Sequence, residues 1–222
     1  MSKHKKSAET QLVIDCGEVT LREFDRIVRE KYGTVCGIDE AGRGPIAGDV
    51  YAAAVILDLK NPIDGINDSK KLSEKKRELL FDEITAKALS YGVGVATVEE
   101  IEQTDILSAA LLAMKRAYEQ LTVSAGIVIV DGDVLPEIDG FVKNLKHGDA
   151  RSEAVAAASI LAKVSRDRYM KKQGELYPQY GFERHAGYGT AAHYAAIDEH
   201  GACPIHRQKF LIKYYNKKKK NG

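Results

Sequence analysis

The run Gly126-Ile127-Val128-Ile129-Val130-Asp131-Gly132 limits more than any other stretch what this chain can become. Four consecutive β-branched residues between turn-forming ends read as a strand buried on both faces, because neither alternating set is polar. Strands of that kind are usually parallel and covered by helices on both sides, which places the chain among α/β folds. Their carboxyl ends face the crevice in which open α/β sheets hold ligands, and Asp131 stands at such an end. An Asp-Gly turn would put an aspartate there as well. Asp131 is therefore a candidate, ahead of Asp133 two residues on.

A second stretch organises the chain around it. Thr34–Ile38 is short and apolar and ends on the pair Asp39-Glu40; Gly42-Arg43-Gly44-Pro45 and Gly48 then break regular structure, and Asp49–Leu57 is long enough to cross a sheet. Two acids at a strand end, beside an arginine between glycines, suit a divalent cation and a phosphodiester. The carboxylates would hold the cation while the loop backbone and Arg43 approach a nucleic acid. The same residues also describe a solvated strand tip and an ordinary turn, and alone they do not choose.

The remaining elements follow from periodicity. Leu21, Phe24, Ile27 and Val28 predict a helix within residues 12–32, stopped by Gly33. Ser73 is a fitting N-cap for a helix from Glu74 to Ala88. The loop before it carries Ser69, Lys70 and Lys71, which suit phosphate binding or simply a polar turn. Residues 91–97 alternate as a third strand, and Leu107, Leu111, Met114, Tyr118 and Leu121 mark a core-facing helix. Phe141–Lys146 reads as a short fifth strand. An alanine-rich helix over 152–172 follows Gly148-Asp149, and its small side chains allow close approach to the sheet, bringing Asp149 toward the other strand ends. Asp149 would serve equally as a plain cap. Near the end, Gly187-Tyr188-Gly189 leaves a tyrosine free to stack on a sugar or base, or to plug the core edge. A short helix over 191–200 closes at Gly201, and the four histidines around it lack zinc-type spacing.

Composition excludes several classes. Of 222 residues, 1–158 carry 20 Lys and Arg against 27 Asp and Glu, a net of −7, whereas 159–222 carry 13 against 5, a net of +8. A basic C-terminal third can serve an acidic catalytic part as a phosphate-binding surface, although four of those charges lie in the run Lys217–Lys220, which also reads as a solubilising tail. Residues 1–10 read as disordered. No secretory h-region or membrane-length apolar run is present. The three cysteines have no metal spacing and fit a reducing compartment, so the expected location is the cytoplasm.

Asp39-Glu40-Ala41-Gly42-Arg43-Gly44-Pro45 resembles the signature of bacterial ribonuclease HII, a type 2 ribonuclease H. The likeness continues, in the family's order, through Asn67-Asp68-Ser69-Lys70-Lys71-Leu72-Ser73, Val130-Asp131-Gly132, Gly148-Asp149 with the alanine-rich helix, Gly187-Tyr188-Gly189-Thr190 and His206-Arg207. The resemblance implies a ribonuclease H-like α/β fold: a five-stranded mixed sheet flanked by helices, with a C-terminal helical extension. On that basis residues 1–33 form an N-terminal extension, 34–185 the catalytic domain and 186–222 a substrate-binding helical segment with a basic tail. It further implies a monomeric enzyme that cleaves RNA in RNA–DNA hybrids and incises duplex DNA at embedded ribonucleotides, using two divalent ions, Mg²⁺ or Mn²⁺. Asp39, Glu40, Asp131 and Asp149 would be the metal-binding catalytic carboxylates. Gly42, Arg43 and Gly44 would read the 2′-hydroxyl, Tyr188 would stack on the next sugar, and Ser69, Lys70 and Lys71 would meet phosphate. His147, Asp133 and Lys209 depart from the residues usual in the family, where lysine, asparagine and serine are common.

Two other readings compete: another metal nuclease on the same fold, and a nucleic-acid-binding module without turnover. Against the second, clustered negative charge gains nothing for a protein that only binds a polyanion.

Overall fold

The computed structural model describes residues 10–221, with only the backbone for 213 and 217–221. Residues 1–9 and the Lys217–Lys220 side chains, read above as disordered and as a tail, lie outside it. Five strands form one sheet: β1 (Val35–Ala41), β2 (Val50–Ile56), β3 (Ser90–Ala96), β4 (Ile127–Asp131) and β5 (Val142–Leu145), in the order β3-β2-β1-β4-β5. β1 runs antiparallel to β2 and parallel to β4, and β5 is parallel to β4. The sheet is therefore mixed, as expected, and the buried β-branched run is a parallel strand.

Helices cover both faces. On one, α4 (Ile106–Tyr118) packs through Ala109, Ala110, Ala113, Met114 and Ala117 against Cys36, Ile38, Val50, Ala52, Ala54, Val128 and Val130. On the other, α2 (Glu74–Lys87) and α5 (Glu153–Leu176) pack on Ala53 and Val55. α1 (Leu21–Tyr32) adds Phe24 and Val28 to a cluster with Ile127, Ile129 and Val155. The remaining helices are α3 (Val98–Gln103), α6 (Phe182–His185), α7 (Ala191–His200) and α8 (Gln208–Asn221).

The alanines of α5 do what their size suggests, and Gly37 completes the fit. A Cβ built on Gly37 would lie 2.2 Å from the Ala154 carbonyl carbon and 2.2 Å from the Val155 nitrogen. Only hydrogen fits between β1 and the first turn of α5, so the helix rests directly on the strand that carries Asp39.

Some boundaries differ from the sequence expectation. α1 begins only at Leu21, where Thr20 accepts the Glu23 N–H at 3.2 Å. The preceding stretch is drawn out because the Leu12 N–H donates to the Asn144 carbonyl at 2.8 Å, alongside β5. β1 runs past Ile38 to Ala41, so Asp39 and Glu40 sit inside the strand, on opposite faces. α3 is too short to show a period. It is recognisable from its Thr97–Glu100 capping box. α8 was hidden by its lysines, yet it buries Leu211.

Candidate active site

Strand alternation decides which acids meet. Counting back along β1, Asp39 shares its face with Gly37; along β4, Asp131 shares its face with Ile127 and Ile129, and both faces look toward α5. The parallel register pairs Ile38 with Val130, so Asp39 and Asp131 follow one step later on adjacent strands. Asp149 arrives from the short turn Gly148–Ala150 between β5 and α5. That turn is held to Asp131, whose Oδ1 accepts the Gly148 N–H at 2.8 Å. The result is three carboxylates, each offering an oxygen within 4.8 Å of the others.

Such a cluster is costly without a cation. Asp39 is 6% exposed, and its carboxyl titrates well above the usual range through burial, reinforced by the charges of Glu40 and Asp131. Burial also raises Asp131, with Asp149 adding to it. Three converging oxygens in a half-dry site are the donor set that hard divalent cations take, so these residues fit Mg²⁺ or Mn²⁺. Lys70 reaches the same cluster, its Nζ 3.0 Å from Asp149 Oδ2.

Glu40 stands apart from the trio. Its strand face is the one toward α4, where Oε1 pairs with Arg43 Nη1 at 3.1 Å. It lines a cleft of about 280 Å³ with Arg43, Asp131, Leu107 and Leu111. The cleft opens beside Asp131, so Glu40 borders the cluster from the opposite side of the sheet. Asp133, rated below Asp131 from sequence, pairs with Lys146 at 3.4 Å and stays exposed.

The Gly42–Gly44 loop is shaped by two arginines that the sequence did not single out for this role. Arg166 and Arg207 are 1% and 0% exposed. Arg207 donates to the carbonyls of Gly42 (2.7 Å), Arg43 (3.3 Å), Pro45 (2.7 Å) and Gly48 (2.8 Å). Arg166 donates to those of Ala47, Asp49 and Ala186 at 3.0, 3.0 and 2.9 Å. A planar five-donor fork can satisfy so many carbonyls of one turn, which lysine cannot. Gly42 has φ +105°, and a Cβ there would lie 2.2 Å from Arg166 Nε, so glycine is required both by conformation and by space. Arg166 had read as part of the basic end of its helix. Its signal was its place in the buried series Ala158, Ala162, Arg166, Met170.

Tyr188 is 49% exposed, and its ring lies 3.4 Å from where a Gly44 Cβ would stand. The third candidate group divides. Lys70 and Lys71 are exposed, but Ser69 is buried and its hydroxyl meets that of Ser159 on α5 at 2.6 Å, tying the loop down.

A buried acid trio on β1, β4 and the turn after β5 of this mixed sheet suits a metal-dependent nuclease, and the comparisons place the chain among the ribonucleases H, endonucleases for the RNA strand of RNA–DNA hybrids. The comparisons narrow the class. The family model for ribonuclease HII matches residues 36–213. Ribonuclease HII of Delftia acidovorans is 56% identical over 178 residues, 80% of this chain and 76% of that one. The Idiomarina loihiensis protein is 56% identical over 176 residues, 79% and 94% of the two chains. Among solved structures, ribonuclease H2 from Pyrococcus horikoshii OT3 superposes with a TM-score of 0.66 at 30% identity, covering 79% of this chain and 93% of that one. Bst-RNase HIII in complex with Mn²⁺ shares the fold at TM-score 0.62 and 18% identity, covering 79% and 66%. The chain belongs to the ribonuclease HII family.

Proposed function

We propose that this enzyme, besides cutting RNA in hybrids, incises duplex DNA on the 5′ side of embedded ribonucleotides, leaving 5′-phosphate and 3′-hydroxyl ends. The observation that carries the reading is the placement of Tyr188 against Gly44, beside the strand whose Asp39 belongs to the acid trio. The 2′-hydroxyl is the one local group that separates RNA from DNA, and backbone donors and acceptors read it at any base. In this reading Gly42, Arg43 and Gly44 present peptide groups to that hydroxyl. The Gly42 carbonyl, already accepting from Arg207, is held still and keeps a second lone pair. Tyr188 lays its exposed ring on the following sugar, which fixes the scissile phosphate over the acids. Lys70 and Lys71 neutralise flanking phosphates. Asp39, Asp131 and Asp149 would hold divalent cations from the α5 side, and Glu40 would contribute from the cleft side. Two divalent ions bound there would supply the chemistry of activating a water and stabilising the leaving 3′-oxygen.

The test is duplex DNA with one labelled ribonucleotide, incubated with Mg²⁺ or Mn²⁺ beside Asp39→Asn. Metal-dependent cutting 5′ to the ribonucleotide, abolished in the variant, is expected. Cleavage confined to long hybrids would overturn the junction reading and leave the ribonuclease H activity in place.

A further inference from the structure

Behind Tyr188 runs a chain of hydrogen bonds whose direction is fixed at both ends. The Cys203 N–H donates to His206 Nδ1 at 2.9 Å. A backbone amide can only donate, so His206 carries its proton on Nε2. That nitrogen lies 3.0 Å from His193 Nε2, which must accept. His193 therefore carries its proton on Nδ1, 2.8 Å from the Tyr188 carbonyl, which can only accept. Both imidazoles are 0–1% exposed, and His185 stacks on His193 with ring centroids 4.4 Å apart. One neutral tautomer of each ring satisfies the whole chain, and no other does.

The far end of this chain is anchored to the loop that Tyr188 faces. Arg207, next to His206, donates its N–H to the Ile46 carbonyl at 2.8 Å, while the Ile46 N–H donates to the Gly187 carbonyl at 2.9 Å. The dipeptide His206-Arg207 thus holds both arms of the proposed junction reader from behind: the Gly42–Gly48 carbonyls through the guanidinium, and the Tyr188 carbonyl through two imidazoles.

We infer that His193 and His206 are positioning residues that set Tyr188 at its working distance from Gly44, and so govern recognition of the ribonucleotide–deoxyribonucleotide step. The inference rests on the role proposed above for Tyr188. Neither histidine touches the acid trio, so neither is a catalytic residue.

The experiment is a double-mutant cycle on the single-ribonucleotide duplex, with KM and kcat measured separately and Mn²⁺ binding followed by calorimetry. His193→Ala is expected to raise KM about tenfold, with kcat changed less than about threefold and Mn²⁺ affinity unchanged. His193→Asn, whose amide nitrogen takes the place of Nδ1, is expected to recover most of the loss. Adding His193→Ala to Tyr188→Ala is expected to cost nothing further, because the histidine acts through the tyrosine. Full additivity, or His193→Ala with unchanged KM while Tyr188→Ala raises it, would overturn the inference. Tyr188→Ala with unchanged KM would instead overturn the proposed role of Tyr188. His206→Gln, which keeps a donor toward His193, covers the case in which His193→Ala fails to fold: KM near that of the parent supports the relay, and KM as high as in Tyr188→Ala refutes it.

Discussion

Replacing Gly37 by alanine tests whether the close seating of α5 on β1 is what assembles the metal site. The added methyl would stand 2.2 Å from two backbone atoms, Ala154 C and Val155 N, and 2.4 Å from the Ala154 carbonyl oxygen. No rotamer change can relieve a clash with backbone. The start of α5 must withdraw by about 1.2 Å to restore ordinary contact. Overpacking of this kind costs roughly 1–3 kcal/mol, and the backbone partners put this case at the upper end, about 3 kcal/mol. For a chain of this size each kcal/mol lowers Tm by about 2–4 °C, so a drop of about 6–12 °C is expected in a thermal melt with EDTA present.

The same displacement has a second readout. Asp149 precedes α5 by four residues and moves with it, whereas Asp39 and Asp131 stay on the sheet. A Mg²⁺ or Mn²⁺ ion with oxygens at about 2.1 Å bridges two ligands no more than about 4.2 Å apart. The trio, within 4.8 Å, can close on an ion by small side-chain movements; opened by a further 1.2 Å or so, it cannot do so without the helix returning. Calorimetric titration of Mn²⁺ is therefore expected to show at least tenfold weaker binding. A variant that melts within about 2 °C of the parent and binds Mn²⁺ equally well would refute the argument that Gly37 sets the site.

Three further outcomes follow from particular contacts. Lys70→Ala removes a partner of Asp149 that is itself 78% exposed; the pair is worth less than about 1 kcal/mol, so Tm in EDTA changes little while KM for a hybrid rises several-fold. Arg207→Lys replaces a fork serving four carbonyls by a single ammonium and leaves buried acceptors unpaired, for a loss of about 3–5 kcal/mol seen in urea unfolding. Burial lowers both His193 and His206 to about 4. As pH falls from 6.5 toward 4 the unfolded chain takes up a proton at each histidine that the folded one refuses, so about 3 kcal/mol is lost per histidine. Asp25 opposes this: burial raises it to about 7, so its contribution, full below pH 4, falls away as pH rises to 7. Asp25→Asn abolishes that opposing slope, and urea melts from pH 8 to 4 are expected to show a steeper acid loss than in the parent.

What the sequence displayed and what it concealed divide along a physical line. The α/β fold was legible because Ile127–Val130 admits no exposed face, and the acids were legible because residues at strand ends keep their chemistry whatever packs below them. The tertiary uses of ordinary residues were not. Arg166 looked like a charge suiting a helix end, although it is buried against three carbonyls that local sequence cannot display: those of Ala47, Asp49 and Ala186 come from segments more than a hundred residues upstream or twenty downstream. Ser69 looked like a phosphate ligand because hydroxyls in loops often are, and only the approach of Ser159 turned it inward.

Glu40 shows the same division within one dipeptide. From sequence, Asp39 and Glu40 form a pair, and a turn would let both reach one cation from the same side. The strand instead continues through them to Ala41, and its pleat sends Asp39 to the α5 face and Glu40 to the α4 face. Asp39 thereby joins Asp131 and Asp149, while Glu40 pairs with Arg43 in the cleft beside them. Two neighbouring acids are thereby presented on opposite sides of a sheet edge, an arrangement that a flexible turn would not enforce. The strand that carries them cannot twist to bring both carboxylates to one face, because Gly37 pins it beneath α5 and the backbone of Ala41 is paired with Tyr51. Rigidity in β1, rather than the number of carboxylates, is what keeps the two positions distinct.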